Sequence, residues 1–288
     1  MRFALSDEQR QFALGAHPVD LVVACEELGH HPLPGPVAES VAAVPQLLAA
    51  LLTGARARDW LAALASGDLI ATLARPPLLP CALDADAAGL ALLADAGSVW
   101  SALPGARLES ADRARRLFAV TPDQALATGP DAVTAVSRAI DHGTLASAAL
   151  LLGAGRGLLE ASTRHARTRE QFGRPVGAFQ AVKHALADVL IGLEFARPML
   201  YAAAIALGGN APTTARDISA ARVACADAAR RAARAALQVH GAIGYTLECD
   251  ISLWLAKVRS LSSTWGSQAE HRAVVLAALV QDRAGAWS

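Results

Sequence analysis

The apolar excess of this chain is carried by small side chains, and that constrains its fold more than any other feature. Hydrophobic residues fill 53% of 288 positions while aromatics fill only 5% and charged residues 18%, so the excess lies mainly in Ala, Leu and Val. Such a composition favours helices whose backbones approach closely. Lys and Arg together number 26 against 26 acidic residues, so the chain is formally neutral. Neutrality with high hydrophobicity excludes a disordered chain and argues against a polybasic nucleic-acid binder. It also suggests a surface that meets other subunits.

Along the chain, residues 18–28, 37–52 and 57–65 read as helices, the first two separated by a segment with three prolines (Pro32, Pro34, Pro36). His30 and His31 fall in that segment and read as loop residues, with no carboxylate or cysteine at ligand spacing. Residues 68–128 change character. Short apolar runs at 69–73, 89–94 and 116–120, divided by Pro, Gly and Asp, predict a few short strands but no large sheet. From residue 131 onward about five helical segments predict a bundle with its own core. Within it, residues 179–207 contain Pro198, which predicts a kink, and 208–212 read as a loop. Thr214 with Asp217 has the spacing of a capping box, Gly241 and Gly244 end the next helix, and Ser267 with Glu270 resembles the cap of a last one. The domain boundaries expected are 1–67, 68–128 and 129–288.

Cys25, Cys81, Cys225 and Cys249 are scattered singly, which predicts buried free thiols rather than a disulfide framework or a metal site. The opening Met-Arg-Phe-Ala-Leu-Ser-Asp-Glu has no hydrophobic signal core, and no stretch of eighteen residues is free of polar breaks. A cytoplasmic protein without a membrane partner is therefore expected.

Gly153, Gly155 and Gly157 have GxGxG spacing after a helical Ala/Leu run, so they read as small residues for tight helix packing rather than as a dinucleotide loop. A more specific pattern runs from Arg167 through Arg169, Phe172, Gly173, Phe179 and Gln180 to His184. Two helices meet there across a turn containing Gly173, Pro175 and Gly177. A guanidinium at the end of one helix beside the N-terminus of the next suits a phosphate anion. On the residues alone, an interhelical salt bridge with an N-cap is equally compatible. A second constellation is Gln238-Val239-His240-Gly241-Ala242, continuing to Tyr245, where a helix ends in a glycine-rich turn with exposed amides.

Taken together, the two motifs resemble the acyl-CoA dehydrogenase family, whose pattern is R-x-x-F-G-x5-F-Q followed by Q-x-H-G-G-x-G-Y, clearly over residues 141–272 and more faintly over 19–64. The resemblance implies a mainly α fold, with a truncated N-terminal helical domain, a reduced β middle domain and a C-terminal helical bundle. It implies FAD as cofactor. Arg169, Phe172 and Gln180 would meet the pyrophosphate and adenylate region, and Gln238, Val239, His240, Gly241 and Ala242 the same end, reaching across a subunit interface.

The departures from that pattern are as informative. Dehydrogenation needs a carboxylate of raised pKa to take the α-proton, yet the family's usual base position holds Trp265, followed by Gly266. The alternative base position falls near Ser147. Asp141, Glu248 and Glu270 are the nearest acids, but displacement along a helix changes both face and height, so they read as solvated or capping residues. Thr72-Leu-Ala-Arg-Pro-Pro-Leu-Leu-Pro80 stands where the family's flavin-ring segment T-E-P-x-x-G-S-D belongs. The chain also reads as short of the walls that hold the flavin ring and substrate, with Gln11 leading almost directly into the helix at Val19.

The resemblance thus implies the shortened, non-catalytic subunit of an actinobacterial heterotetrameric (α2β2) steroid-CoA dehydrogenase. A full-length partner would supply the base and bind most of the acyl-CoA, and an electron-transfer flavoprotein or similar acceptor would take the electrons. A purely structural subunit without ligand contacts, and a self-sufficient enzyme with a relocated base, are the competing readings.

Overall fold

In this computed structural model, residues 17–51, 54–95, 97–246 and 248–285 are described; the stretch around Gln11 lies outside them. Helix α1 is Pro18–His30, followed by a π-turn at Glu39–Ala43 that runs into α2 (Val44–Leu51), and by α3 (Ala55–Ser66). Five strands follow: β1 (Ala71–Ala74), β2 (Ala82–Leu83), β3 (Leu90–Ala94), β4 (Ser98–Leu108) and β5 (Leu117–Thr128). The long helix α4 (Pro130–Thr168) leads through the two-residue strands β6 (Glu170–Gln171) and β7 (Arg174–Pro175) to α5 (Gln180–Gly208). The chain ends with α6 (Thr214–His240), α7 (Ile251–Leu261) and α8 (Gln268–Gly285). The fold is mainly α, as expected, with a five-stranded sheet and the separate β6–β7 pair among the described residues.

Two compact units are formed. Of the described residues, one comprises 17–21, Pro34–Ala146 and Thr264–Gly266. Its sheet has the order β1-β3-β4-β5-β2, parallel between β1 and β3 and antiparallel elsewhere. Ser40 ties the π-turn to β1, its hydroxyl donating to the Ala71 carbonyl at 2.6 Å and accepting from the Ala71 amide at 3.0 Å. Ala74, Ala82, Ala85 and Phe118 form a small apolar cluster against which Leu93 and Val120 pack. The sheet is larger than the sequence predicts. Strand β4 is not expected at all and β5 extends to Thr128, because β4 carries Pro104 and Gly105 and its second half is exposed, which removes the alternation that marks a strand.

The second unit comprises, of the described residues, Val22–Leu33, Ser147–Ser263 and 267–285. Its packing rests on glycines of α4. A Cβ on Gly153 would fall on the Glu26 carbonyl and the His30 amide; one on Gly157 would meet the Trp254 indole and the His30 carbonyl. At Gly155 the added atom would meet Leu193 of α5 and the Ala229 backbone of α6. The close-packing reading of this GxGxG run therefore holds. Trp254 donates its indole N–H to the His30 carbonyl at 2.9 Å. Glu26, fully buried, is held by Arg156 at 2.8 Å and Arg197 at 3.4 Å. The equally buried Arg222 donates to the Leu261 carbonyl at 2.6 Å, and burial lowers its guanidinium pKa to about 10. Burial raises the thiols of Cys25 and Cys225 to about 12, which leaves them unreactive.

Three local expectations are corrected. Helix α1 continues through Gly29 to His30, since Gly29 lies against the Leu150 backbone, so His30 is helical and Glu27 stands one turn before it. Helix α5 runs as one continuous helix through Pro198. Thr214 forms no capping box with Asp217: its hydroxyl donates to the Ala206 and Ala211 carbonyls, and Asp217 accepts instead from Thr213 at 2.7 Å. The reciprocal cap of Ser267 and Glu270 does form, at 2.7 and 3.2 Å.

Gly153→Ala should lower the melting temperature by several degrees, since overpacking against backbone costs about 1–3 kcal/mol. Gly209→Ala, where the nearest atom is the Ile205 carbonyl oxygen at 3.4 Å, should change it little; equal effects would contradict this packing.

Candidate functional site

The arginine motif forms a projecting hairpin. The Arg169 amide donates back to the His165 carbonyl at 2.9 Å as α4 ends, and the Val176 amide donates to the Arg169 carbonyl at 2.8 Å, closing the β6–β7 pair. Phe172 and Gly173, both at positive φ (53° and 76°), make its two-residue turn, and Gly is the residue that tolerates this. Phe172 is 90% exposed. Its ring meets Phe179 edge-on at 6.1 Å, and the Arg174 guanidinium covers the Phe179 ring at 4.2 Å. Gly177 lies against the Ala166 backbone, where a Cβ would stand 2.9 Å from the carbonyl oxygen. The turn is thereby anchored to α4 while its tip stays in solvent.

Arg169 is exposed, and no ion pair engages its guanidinium among the described residues. Gln180 is the first residue of α5, and Phe179 precedes it as an N-cap without any capping side chain. The salt-bridge-plus-cap alternative is therefore not what these residues do. A free guanidinium and an uncapped helix N-terminus leave donors and positive potential directed outward.

The second motif closes α6. The His240 Nδ1–H donates to the Ala236 carbonyl at 2.8 Å, and Gly241 (φ 64°) turns the chain into a short 3-10 segment, Gly241–Tyr245. Gln238, Gly241 and Ala242 are exposed, while Val239 and His240 are partly buried. The two motifs meet through histidines: His165 of α4 stacks on His240 with ring centroids 4.2 Å apart and planes at 26°. Desolvation foremost, then the charges of His240 and Arg169, holds the His165 imidazole below its usual pKa. Sequence reasoning missed His165, although it stands one helical turn before Arg169.

Trp265 is fully buried at φ 59°, an unusual conformation for a bulky residue, followed by Gly266 at φ 92°. Its indole lies on Gly143 of α4, where an added Cβ would land on ring carbons. Gly143 is the second residue that sequence reasoning missed, and only the packing identifies it. Ser147 is also fully buried, its hydroxyl without a hydrogen-bond partner. Neither Trp265 nor Ser147 offers a carboxylate.

Of the three acids, Glu248 is exposed, and Glu270 is engaged in its cap, the Ser267 amide holding its carboxyl below the usual range. Burial raises the Asp141 carboxyl to about 6. Asp141 precedes Gly143 by two residues, however, and so lies about 200° around α4 from the face that the indole covers. Thr72, in the segment where the resemblance expects a flavin-ring sequence, accepts from the Leu83 amide at 3.0 Å and joins β1 to β2. It serves the sheet.

As pH falls through about 6.5, the unfolded chain takes up a proton at residue 165 before the folded protein does, so the folded state loses stability in acid. His165→Phe, which retains a ring against His240, should flatten the fall in melting temperature between pH 7 and pH 5. An unchanged slope would contradict the stack.

The pattern described as "Acyl-CoA dehydrogenase, C-terminal domain" matches residues 133–280. Among curated proteins the chain is similar to the acyl-CoA dehydrogenase IpdE2 of Mycobacterium tuberculosis, 31% identical over 245 residues, spanning 84% of this chain and 72% of that protein. Similar folds occur in a variant of the Tcur3481–Tcur3483 steroid acyl-CoA dehydrogenase (TM-score 0.79, 23% identity, 96% of this chain and 86% of that chain). The ChsE4–ChsE5 complex of Mycobacterium tuberculosis is likewise similar (TM-score 0.78, 21% identity, 96% and 84%). By its matched C-terminal half and a relative covered over most of its length, the chain belongs to the acyl-CoA dehydrogenase family.

Proposed function

We propose that this chain is the partner subunit of a heteromeric FAD-dependent acyl-CoA dehydrogenase. It grips the adenylate end of the cofactor across the interface while a full-length subunit supplies the base. The observation that carries this reading is the contrast between two sites. The position assigned by resemblance to the base is sealed by the Trp265 indole against Gly143, whereas Arg169, Phe172, Gln180, Gln238 and Ala242 are all exposed.

The exposed residues fit the ligand that the family implies. Arg169 offers a guanidinium fork to a pyrophosphate, the α5 N-terminus adds uncapped amides, and Phe172 offers an aromatic face beside them. Bound there, FAD would supply the hydride acceptor for the β-carbon of the acyl thioester. This chain contributes binding and orientation, and the partner's carboxylate takes the α-proton. Trp265 excludes water and substrate from the corresponding space here.

An outward apolar surface supports a second chain. Leu190, Ile191, Phe195, Met199 and Ile205 of α5 are exposed, and α5 is apolar enough to span a membrane by length and composition alone. A subunit interface covers such a face equally well. The α2β2 arrangement, an electron-transfer flavoprotein as acceptor and a cytoplasmic location belong to the same proposal. The heteromeric names of two fold neighbours, one of them a steroid enzyme, favour a paired assembly and a steroid side-chain CoA thioester as substrate.

Arg169→Ala should weaken FAD retention in the coexpressed complex about 10–100-fold, the value of one charge-assisted contact, read as loss of flavin absorbance per complex. Unchanged flavin after Arg169→Ala combined with Gln238→Ala would favour a purely structural subunit. The raised carboxyl of Asp141 favours one other reading, a relocated base. In that case Asp141→Asn would abolish turnover with flavin still bound, and under the present proposal turnover persists.

A further inference from the structure

The last turn of α1 and the residue after it hold three side chains that the function proposed above does not use. Glu27, His30 and His31 occupy positions i, i+3 and i+4, and a ligand atom from each lies within 4.8 Å of the others. Two ligands of one zinc-class ion, each about 2.0–2.2 Å from it, stand about 3.4 Å apart. The three atoms therefore need to close only slightly around a common centre. Two of them are free to do so: the Glu27 and His31 side chains are 65% and 61% exposed, and His31 Nε2 approaches Glu27 Oε1 no nearer than 3.8 Å.

His30 carries the stronger indication. Its Nε2 lies 3.0 Å from Glu160 Oε2 on α4, and the Arg164 guanidinium first, then His30, keeps the Glu160 carboxyl below its usual range. With the Nε2–H donated to that carboxylate, a neutral imidazole presents Nδ1 as a bare acceptor. That nitrogen is buried and has no hydrogen-bond partner. A histidine whose far N–H is held by a carboxylate, with its other nitrogen unsatisfied, has the arrangement of a metal ligand with its orienting neighbour.

We infer that Glu27, His30 and His31 form a site for one divalent transition-metal ion of the zinc class, with Glu160 orienting the His30 ring. Two imidazoles and one carboxylate select such an ion over the hard, oxygen-seeking Mg²⁺ and Ca²⁺. A water completes the coordination. The ion ties the end of α1 to α4 through Glu160, next to the Gly153 and Gly157 contacts, and so acts as a structural clip.

The test is a titration of the metal-stripped full chain, in its complex if coexpression is needed, with ZnCl₂ against a chromophoric chelator and with CoCl₂ by visible absorption. One Zn²⁺ per chain at micromolar affinity or tighter, a tetrahedral Co²⁺ band and a zinc-dependent rise in melting temperature are expected. His31→Ala removes an exposed side chain and leaves the fold intact; it should abolish the band and the thermal shift. Glu160→Gln should weaken zinc about 10–100-fold. Zinc uptake that is identical in wild type and His31→Ala, or an absent Co²⁺ band in wild type, overturns the proposal.

Discussion

A run of glycines on one long helix sets the distances in the bundle. At Gly153 and Gly157 the missing Cβ atoms let α1 and the Trp254 indole of α7 reach the α4 backbone, and at Gly155 they admit α5 and α6. Helices separated by so little are held by many short dispersion contacts rather than by large side chains, which is why a chain this poor in aromatics still builds a core. The same closeness buries Glu26 and Arg222, and each is retained only with partners, Arg156 and Arg197 for the first and the Leu261 carbonyl for the second. Gly143 repeats the device within the other unit, where it receives the Trp265 indole.

That rigid packing determines what remains outside. The ends of α4 and α6 are joined by the His165–His240 stack, so the two turns that follow them are carried on one support. From that support Arg169, Phe172 and Gln238 face solvent. A helix N-terminus without a capping side chain and a guanidinium without an ion pair are satisfied by water on a free surface and keep their donors available to a ligand. They suit a surface completed by an anionic ligand and another chain. In contrast, the place where resemblance expects a carboxylate is a filled, dry contact. Under the proposed function, the base half of a catalytic site is closed here while the half that would grip the cofactor is left open.

Much of this was legible in the residues. The helical run before Gly153 excluded a phosphate loop, and the paired motifs around Arg169 and Gln238 identified the family and the ends of two helices. Strand β4 was illegible because its pairing with β5, through repeated register shifts, comes from the partner strand and not from its own alternation. The extension of α1 past Gly29 was hidden for a related reason: a glycine that usually stops a helix is needed there for contact with Leu150. Thr214 satisfied a local capping rule, but the Ala206 carbonyl in the last turn of α5 and the Ala211 carbonyl of the loop after it capture its hydroxyl. Gly143 and His165 carry no signal until the fold sets them against Trp265 and His240.

The central claim is that catalysis belongs to the partner while this chain only grips the cofactor. Anaerobic titration of the copurified complex with its acyl-CoA, followed by flavin bleaching and counted against both chains, tests it most directly. One reducible flavin for each pair of unlike chains, with none on this chain purified alone, is the result this account predicts. One reducible flavin for every chain, or substrate-dependent bleaching by this chain by itself, would contradict it.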